Sequence, residues 1–314
     1  MNLTFEESVR DERRQEITEL LRELDVLELR GGCRIGFLPG GACNENYVVE
    51  GDGGSRFVLR LAELEVDRFN FDRRKGADAH RSAAAAGVAP ALVAIKLPEG
   101  HSLARWVDGP ILTAERIRDP GVLAAVGRTL RTLHDGPRIE GTWSVFDDVR
   151  SYTTIARAEG LGLPDDFDEL LQRVARVEVV FEEIDAPEGT CHNDLQLQNF
   201  IIGDDQLWVL DFEFAGRGNR YFDLGNTAVN AELGDEELEP LVEGYFGRFD
   251  AVETARTKLM MFMAAFREAL LAVIAEPVLE RDWDYVAWAD EYFRRSRVWS
   301  DGTTFEQTLT AARG

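Results

Sequence analysis

Apolar Val9, Ile17, Leu20, Leu21, Leu24 and Leu27 recur at near-helical spacing, which predicts an amphipathic leading helix over 8–30, ended by Gly31-Gly32. The period then changes. Short apolar runs at 34–38, 46–50 and 56–61 are separated by Pro39-Gly40-Gly41-Ala42-Cys43-Asn44 and by Gly51-Asp52-Gly53-Gly54, and read as strands joined by turns. A helix over 68–86 follows, closed by Gly87 and Pro90, and two further strands are expected at 91–96 and 102–107 around Pro98-Glu99-Gly100. From Thr113 the pattern is mostly helical. Helices are expected at 121–134 and 167–184, then at about 222–233, 235–249, 251–275, 282–297 and 303–312. This order predicts an α+β protein with two lobes: a small antiparallel-sheet lobe over 1–106 and a larger helical lobe over 107–314.

One stretch breaks the helical pattern, CHNDLQLQNFIIGDDQLWVLDFEFAGRGNRYFDLGN from Cys191 to Asn226. His192-Asn193-Asp194-Leu195 is followed by Asn199. The apolar runs Phe200-Ile201-Ile202 and Leu207-Trp208-Val209-Leu210 flank Gly203-Asp204-Asp205-Gln206, which reads as a hairpin turn, and the second run ends in Asp211-Phe212-Glu213. A loop Asp, an Asn further along the loop and an Asp at the end of the next hairpin are the parts of a phosphoryl-transfer site. Such transfer needs an aligned acceptor hydroxyl and neutralised phosphate charge more than covalent chemistry. Asp194 is expected to orient that hydroxyl and take its proton. Asn199 and Asp211 offer hard oxygen ligands suited to Mg²⁺. His192, placed with Asp194 in the catalytic set, is expected to hold the loop rather than touch substrate.

These motifs resemble the aminoglycoside phosphotransferase and choline kinase superfamily, whose fold is protein-kinase-like. His-Asn-Asp-Leu and Asp-Phe-Glu-Phe are closer to choline/ethanolamine kinases than to antibiotic kinases, and Phe222-Asp223-Leu224-Gly225-Asn226 resembles the family's F-D-[IL]-[AG]-N segment. The resemblance runs from about Phe37 to about Arg297. It implies an ATP- and Mg²⁺-dependent phosphotransferase acting on the alcohol group of a small hydroxylated acceptor, of choline or ethanolamine type or an aminoglycoside. A catalytically silent nucleotide-binding module is the reading from another class, and the intact Asp194, Asn199 and Asp211 oppose it. No A-P-E segment follows Asp211, which opposes a protein kinase.

The resemblance also assigns nucleotide-site residues. Leu38 to Val49 resembles the family's L-x-G-G-x-x-N-x-x-Y-x-V pattern, so Gly40, Gly41, Asn44 and Asn46 are expected at the phosphates. Arg60, at the end of Phe57-Val58-Leu59-Arg60, takes the place of the phosphate-binding cation. Alignment puts Asp78 as its partner, with Glu65 and Asp67 as other candidates. The backbone around Ala104 to Trp106 is expected at the adenine edge. At the acceptor, Asp194, Glu213 and Asn230 are expected. Three differences from choline kinases thin the cation-recognising set: Phe214 replaces Tyr, Asn230 replaces Glu and Leu271 replaces Trp. Choline is therefore expected to be a poor substrate, and Asn230→Glu to improve it. An aromatic stripe over Trp283, Tyr285, Trp288, Tyr292, Phe293 and Trp299 is a second candidate for the cation site, or else core.

Charge and composition narrow the partners. The 314 residues carry a net charge of −23, which excludes nucleic acid and an anionic membrane surface as expected partners, while a cationic acceptor would be attracted. Among 35 basic residues only Lys75, Lys96 and Lys258 are lysines. Three cysteines without C-x-x-C spacing and four histidines without metal-ligand spacing argue against a disulfide framework or a zinc site. The acidic start and an apolar run, Leu259 to Phe266, cut off by Arg267-Glu268 predict no leader or membrane span and a cytoplasmic protein.

Overall fold

The computed structural model describes residues 1–39, 44–62, 67–70, 72–279 and 283–314. The chain opens with strand β1 (Asn2–Phe5) and helix α1 (Asp11–Leu24). The helix is shorter than its apolar spacing predicts. Asp25 turns into the left-handed region (φ 44°) and stops it, and Leu27 is 71% exposed rather than buried. Strands β2 (Gly32–Leu38), β3 (Glu45–Gly51) and β4 (Arg56–Leu61) follow. Next come helix α2 (Arg73–Ala85) and strands β5 (Leu92–Lys96) and β6 (His101–Arg105). They form one six-stranded sheet in the order β1-β2-β3-β4-β6-β5. All neighbours are antiparallel except β1, which runs parallel to β2.

Period-two alternation sorts this sheet into two faces. Ile35, Tyr47, Val49, Phe57, Leu59, Leu61 and Leu103 point to a small core shared with Ile17, Leu20 and Leu21 of α1. Asn46, Val58, Arg60, Ser102 and Ala104 occupy the other face, with Asn46 opposite Arg60, Arg60 opposite Ser102 and Val58 opposite Ala104. Helix α2 starts at Arg73, later than expected, because the Asp72 side chain caps it by accepting from the N–H groups of Arg74 and Lys75. Its buried Ala79 and Ala83 belong to the larger core of the helical part.

That part contains α3 (Pro120–His134), α4 (Val145–Glu159), α5 (Phe167–Glu183), strands β7 (Glu188–Cys191), β8 (Phe200–Ile202), β9 (Leu207–Val209) and β10 (Gly216–Asn219). Helices α6 (Arg220–Asn230), α7 (Asp235–Phe246), α8 (Ala251–Ala275), α9 (Tyr285–Trp299) and α10 (Gly302–Ala311) complete it. Helix α8 is buried along nearly its whole length, as a helix that is apolar on all sides must be. Strand β7 pairs with β10, and β8 with β9, so the loop 192–199 is held between two small ribbons. Among the described residues no helix is long and apolar enough to cross a membrane.

Candidate active site

The loop after β7 is anchored from α6. Asp223, fully buried, accepts the backbone N–H groups of His192 (2.7 Å) and Asn193 (2.8 Å) and bonds His134 Nε2 (2.9 Å). One turn on, the Asn226 side-chain oxygen accepts the Leu195 N–H. Burial alone would raise the Asp223 carboxyl, but the His134 hydrogen bond and the nearby histidines outweigh it, and the carboxyl is held below its ordinary value. The loop therefore has its backbone fixed on both sides of Asp194. Asp223 and Asn226 were legible only as part of a motif, without a role. His192 is sealed from the cleft: its Nε2 donates to the Leu210 carbonyl at 2.7 Å and its ring lies against Phe212. It is a positioning residue.

The hairpin brings the two residues expected at the metal next to each other. The Leu210 N–H donates to the Asn199 carbonyl at 2.9 Å, which sets Asp211 beside Asn199. Asn199 Nδ2 donates to the Asp194 carbonyl at 2.9 Å, so its side-chain oxygen remains as a donor for a cation. An amide oxygen and a carboxylate are the hard donor set that Mg²⁺ takes, and the residues fit it. Asp194, half-buried, is raised by burial first and then by the carboxylates of Glu268 and Asp211, against the opposing Arg267.

Arg60 reaches from β4 across the cleft to Asp211 (2.9 Å) and also pairs with Glu213. Asn44 donates to Glu213 from the far side. Glu213, in the turn that follows the buried Phe212, thus faces Arg60 of the sheet and Asn44. One expectation is corrected. Asp78 does not meet Arg60: it sits on the exposed face of α2 and pairs with Arg81 at 3.1 Å. The rotation of α2 is set by Gly76, where an added Cβ would lie 2.7 Å from the Phe212 carbonyl. That contact turns Arg73, Ala77 and His80 toward Arg60 instead, around a cleft of about 50 Å³. The expectations for Gly40, Gly41, Glu65 and the Asp67 side chain fall outside what is described.

At the hinge, Ala104 lies on the cleft face, but the N–H groups of Arg105 and Trp106 already donate to the carbonyls of Ala91 and Arg56. Neither is free for a base edge. The Trp106 indole bonds Asp108 and lines a separate groove with Pro90 and Trp208.

Beyond the Asp194 loop lie residues that sequence reasoning missed. Gln196 Nε2 approaches Glu268 at 3.5 Å, and Glu268 is 2% exposed. Arg267, also buried, meets Glu268 at 3.5 Å and Asp148 at 3.3 Å, and its guanidinium lies 4.2 Å from the Phe214 ring centroid. The signal was present: a charged pair interrupting an apolar helix is costly unless it is partnered. The aromatic stripe splits. Tyr285, Tyr292 and Phe293 are buried, whereas Trp283 is exposed. Asn230 joins the loop to this region, donating to the Leu195 carbonyl (3.2 Å) and accepting from the Tyr292 hydroxyl (2.8 Å). A glutamate there would lose the amide donor and set a carboxylate against a carbonyl, so the structure opposes the expected gain from Asn230→Glu.

The chain is similar to known proteins in sequence and in fold. The model of the phosphotransferase enzyme family matches residues 34–260. Protein LicA of Haemophilus influenzae is 28% identical over 213 residues, which cover 66% of this chain and 61% of that protein. A choline/ethanolamine kinase family protein from Mesorhizobium loti has a similar crystal structure (TM-score 0.81, 24% identity), covering 95% of this chain and 99% of that one. The choline kinase LicA from Streptococcus pneumoniae is also similar (TM-score 0.72, 16% identity), over 95% of this chain and 98% of that one. The bilobal kinase-like α+β fold expected from the sequence is the one found.

Proposed function

Because the chain belongs to the phosphotransferase enzyme family, we propose that it transfers the γ-phosphoryl group of ATP to the hydroxyl of a small amino alcohol of the choline/ethanolamine type. The observation that carries this reading is the convergence of Asp194, Asn199 and Asp211 at one cleft, opposite Arg60. Names of similar proteins support the acceptor class: choline kinase for the Streptococcus protein and choline/ethanolamine kinase family for the Mesorhizobium one.

Asp194 accepts the proton of the acceptor hydroxyl as its oxygen attacks the γ-phosphorus. The bond from that phosphorus to the bridging oxygen breaks, and ADP leaves. Asn199 and Asp211 would hold Mg²⁺, which when bound neutralises phosphate charge. Arg60 supplies a planar set of N–H donors to the phosphates, shared with Asp211 and Glu213. Asp223 and Asn226 keep the loop backbone still, so Asp194 is already oriented when the acceptor arrives.

The test is ADP release from Mg-ATP across a panel of amino alcohols, aminoglycosides and sugars. The amino alcohols should give the highest kcat/KM, and Asp194→Asn should lose the activity. A preference for an aminoglycoside would move the acceptor class. No release above background with any member would sink the kinase reading.

A further inference from the structure

We propose that the acceptor site selects an alcohol bearing an N–H-carrying ammonium over one bearing a quaternary ammonium, because the protein's own arginines cover the aromatic rings beside Asp194. The inference rests on the phosphoryl-transfer reading, which makes Asp194 the mark of where the acceptor hydroxyl lies.

A quaternary ammonium has no N–H to donate. It is held by aromatic faces within about 6 Å and by diffuse Coulomb attraction. Two aromatic residues adjoin the Asp194 loop. The Phe214 carbonyl accepts from the Asn193 side chain, and the Tyr292 hydroxyl donates to Asn230, whose amide holds the Leu195 carbonyl. Each ring carries a resident guanidinium. Arg267 lies 4.2 Å from the Phe214 centroid, and Arg295 lies 4.8 Å from that of Tyr292. Neither arginine is loose. Arg267 is fully buried and faces Asp148 and Glu268. Arg295 bonds Glu291 (2.8 Å), Glu232 (2.7 Å) and the Val229 carbonyl (3.0 Å). The cation seats on these faces are taken by the chain itself.

Hydrogen-bond acceptors, by contrast, are under-used. Glu268 is sealed from bulk water, yet Gln196 and Arg267 approach it only to 3.5 Å, the outer limit of a hydrogen bond. A carboxylate has about four lone-pair sites, and burial makes unused ones costly. An ammonium with N–H groups can fill them once the Gln196 amide gives way, while a trimethylated one cannot. Asp148 and Glu268, both buried, share the one guanidinium of Arg267, which favours a second cation there over a neutral acceptor.

The experiment titrates the full chain, with Mg-ADP present, with 2-aminoethanol, its N-methyl, N,N-dimethyl and N,N,N-trimethyl derivatives, and ethane-1,2-diol. ADP release from Mg-ATP is measured with the same compounds. Affinity should fall along the methyl series, about tenfold or more from primary to quaternary, as for the loss of one charge-assisted hydrogen bond. The diol should bind weakest. A quaternary compound binding as well as the primary amine, a diol matching the amine, or no binding by any amine would each overturn the proposal. The expected binding order without turnover of any compound would instead refute the kinase reading and leave the selectivity standing. Removing Arg267 strands two buried carboxylates and risks unfolding, so the informative variant is Arg295→Met. It uncovers Tyr292 and should narrow the primary-to-quaternary ratio several-fold. An unchanged ratio in folded R295M would show that the arginine shield does not set selectivity.

Discussion

Asp223→Asn tests whether the catalytic loop is held in place by one buried carboxylate. In the native protein that group satisfies three donors: the His192 and Asn193 backbone N–H groups and His134 Nε2. An amide keeps one oxygen and replaces the other with an NH₂ group, so at least one donor faces another donor inside the core. A hydrogen bond to a charged group contributes about 1.5–3 kcal/mol, and leaving a buried donor unsatisfied costs about 1–3 kcal/mol more. We expect Asp223→Asn to lose about 3–5 kcal/mol in a urea titration followed by far-UV circular dichroism. Released at 192 and 193, the loop would no longer hold Asp194 to within about 1 Å. That displacement lowers kcat about 10²-fold, with a smaller change in KM for ATP.

The pH dependence supplies an independent check. The Asp223 carboxyl is depressed in the folded state, since the His134 contact outweighs burial. Its stabilisation is fully present above the unfolded carboxyl value of about 3.9 and is lost as pH falls through the lower folded value. The stability gap between wild type and Asp223→Asn should stay constant near neutrality and close only below about pH 3.9. A variant within about 1 kcal/mol of wild type, or a gap that closes between pH 5 and 7, would refute the anchoring argument.

Five further outcomes follow from the site. Asp194→Asn should cut turnover by about 10²–10⁴-fold while leaving Mg-ATP affinity nearly unchanged. Because Asp194 is raised by burial and by Glu268 and Asp211, its ionised form opposes folding above its folded value. The same variant should therefore stabilise the metal-free protein at pH 8 by about 1 kcal/mol or more, read by thermal melting. Asp211→Ala should weaken Mg-dependent nucleotide binding in a titration, and Arg60→Ala should raise KM for ATP more than KM for the acceptor; the reverse ranking would remove Arg60 from the phosphate site. Asn230→Glu should lower kcat for every acceptor, since it loses the bond to the Leu195 carbonyl, and a gain specific to choline would contradict that role.

Sequence pattern exposed what is local and hid what depends on rotation about an element axis. The Asp194–Asn199–Asp211 arrangement was legible because a loop and one short hairpin determine it. Asp78 was misassigned because spacing alone does not say which side of α2 meets the sheet; the approach of Gly76 to the Phe212 carbonyl decides that. Strand β1 was missed because four residues of alternating character at an edge carry little signal, and its partner β2 lies beyond a helix. Glu268 was hidden for a related reason. Arg267-Glu268 was legible as an interruption in an apolar run, but only the packing of α8 under the loop shows that the interruption faces Asp194. Asn230 drew attention as a missing carboxylate, while a buried carboxyl, that of Glu268, stands on the neighbouring helix α8.

The anchoring and the crowding of charge are two sides of one arrangement. Asp194 sits among Glu268 and Asp211, where its ionised form is disfavoured, and a flexible loop would relieve that repulsion by moving away. Here it cannot. Asn193, just before Asp194, has φ 67°, and Asp211 has φ 68°; both lie in the left-handed region, which Asn and Asp tolerate better than other side chains but still at a cost of about 1–2 kcal/mol. Each sits beside a strong restraint. The Asn193 N–H is held by Asp223, and Asp211 follows the Leu210 N–H that donates to Asn199 while its own carboxylate meets Arg60. Hydrogen bonds from α6 and β4 thus offset both the backbone strain and the charge repulsion, keeping two carboxylates in a cleft that would otherwise expel one of them. A cation bound between Asn199 and Asp211, and a cationic acceptor beside Glu268, would relieve that repulsion in the reacting complex.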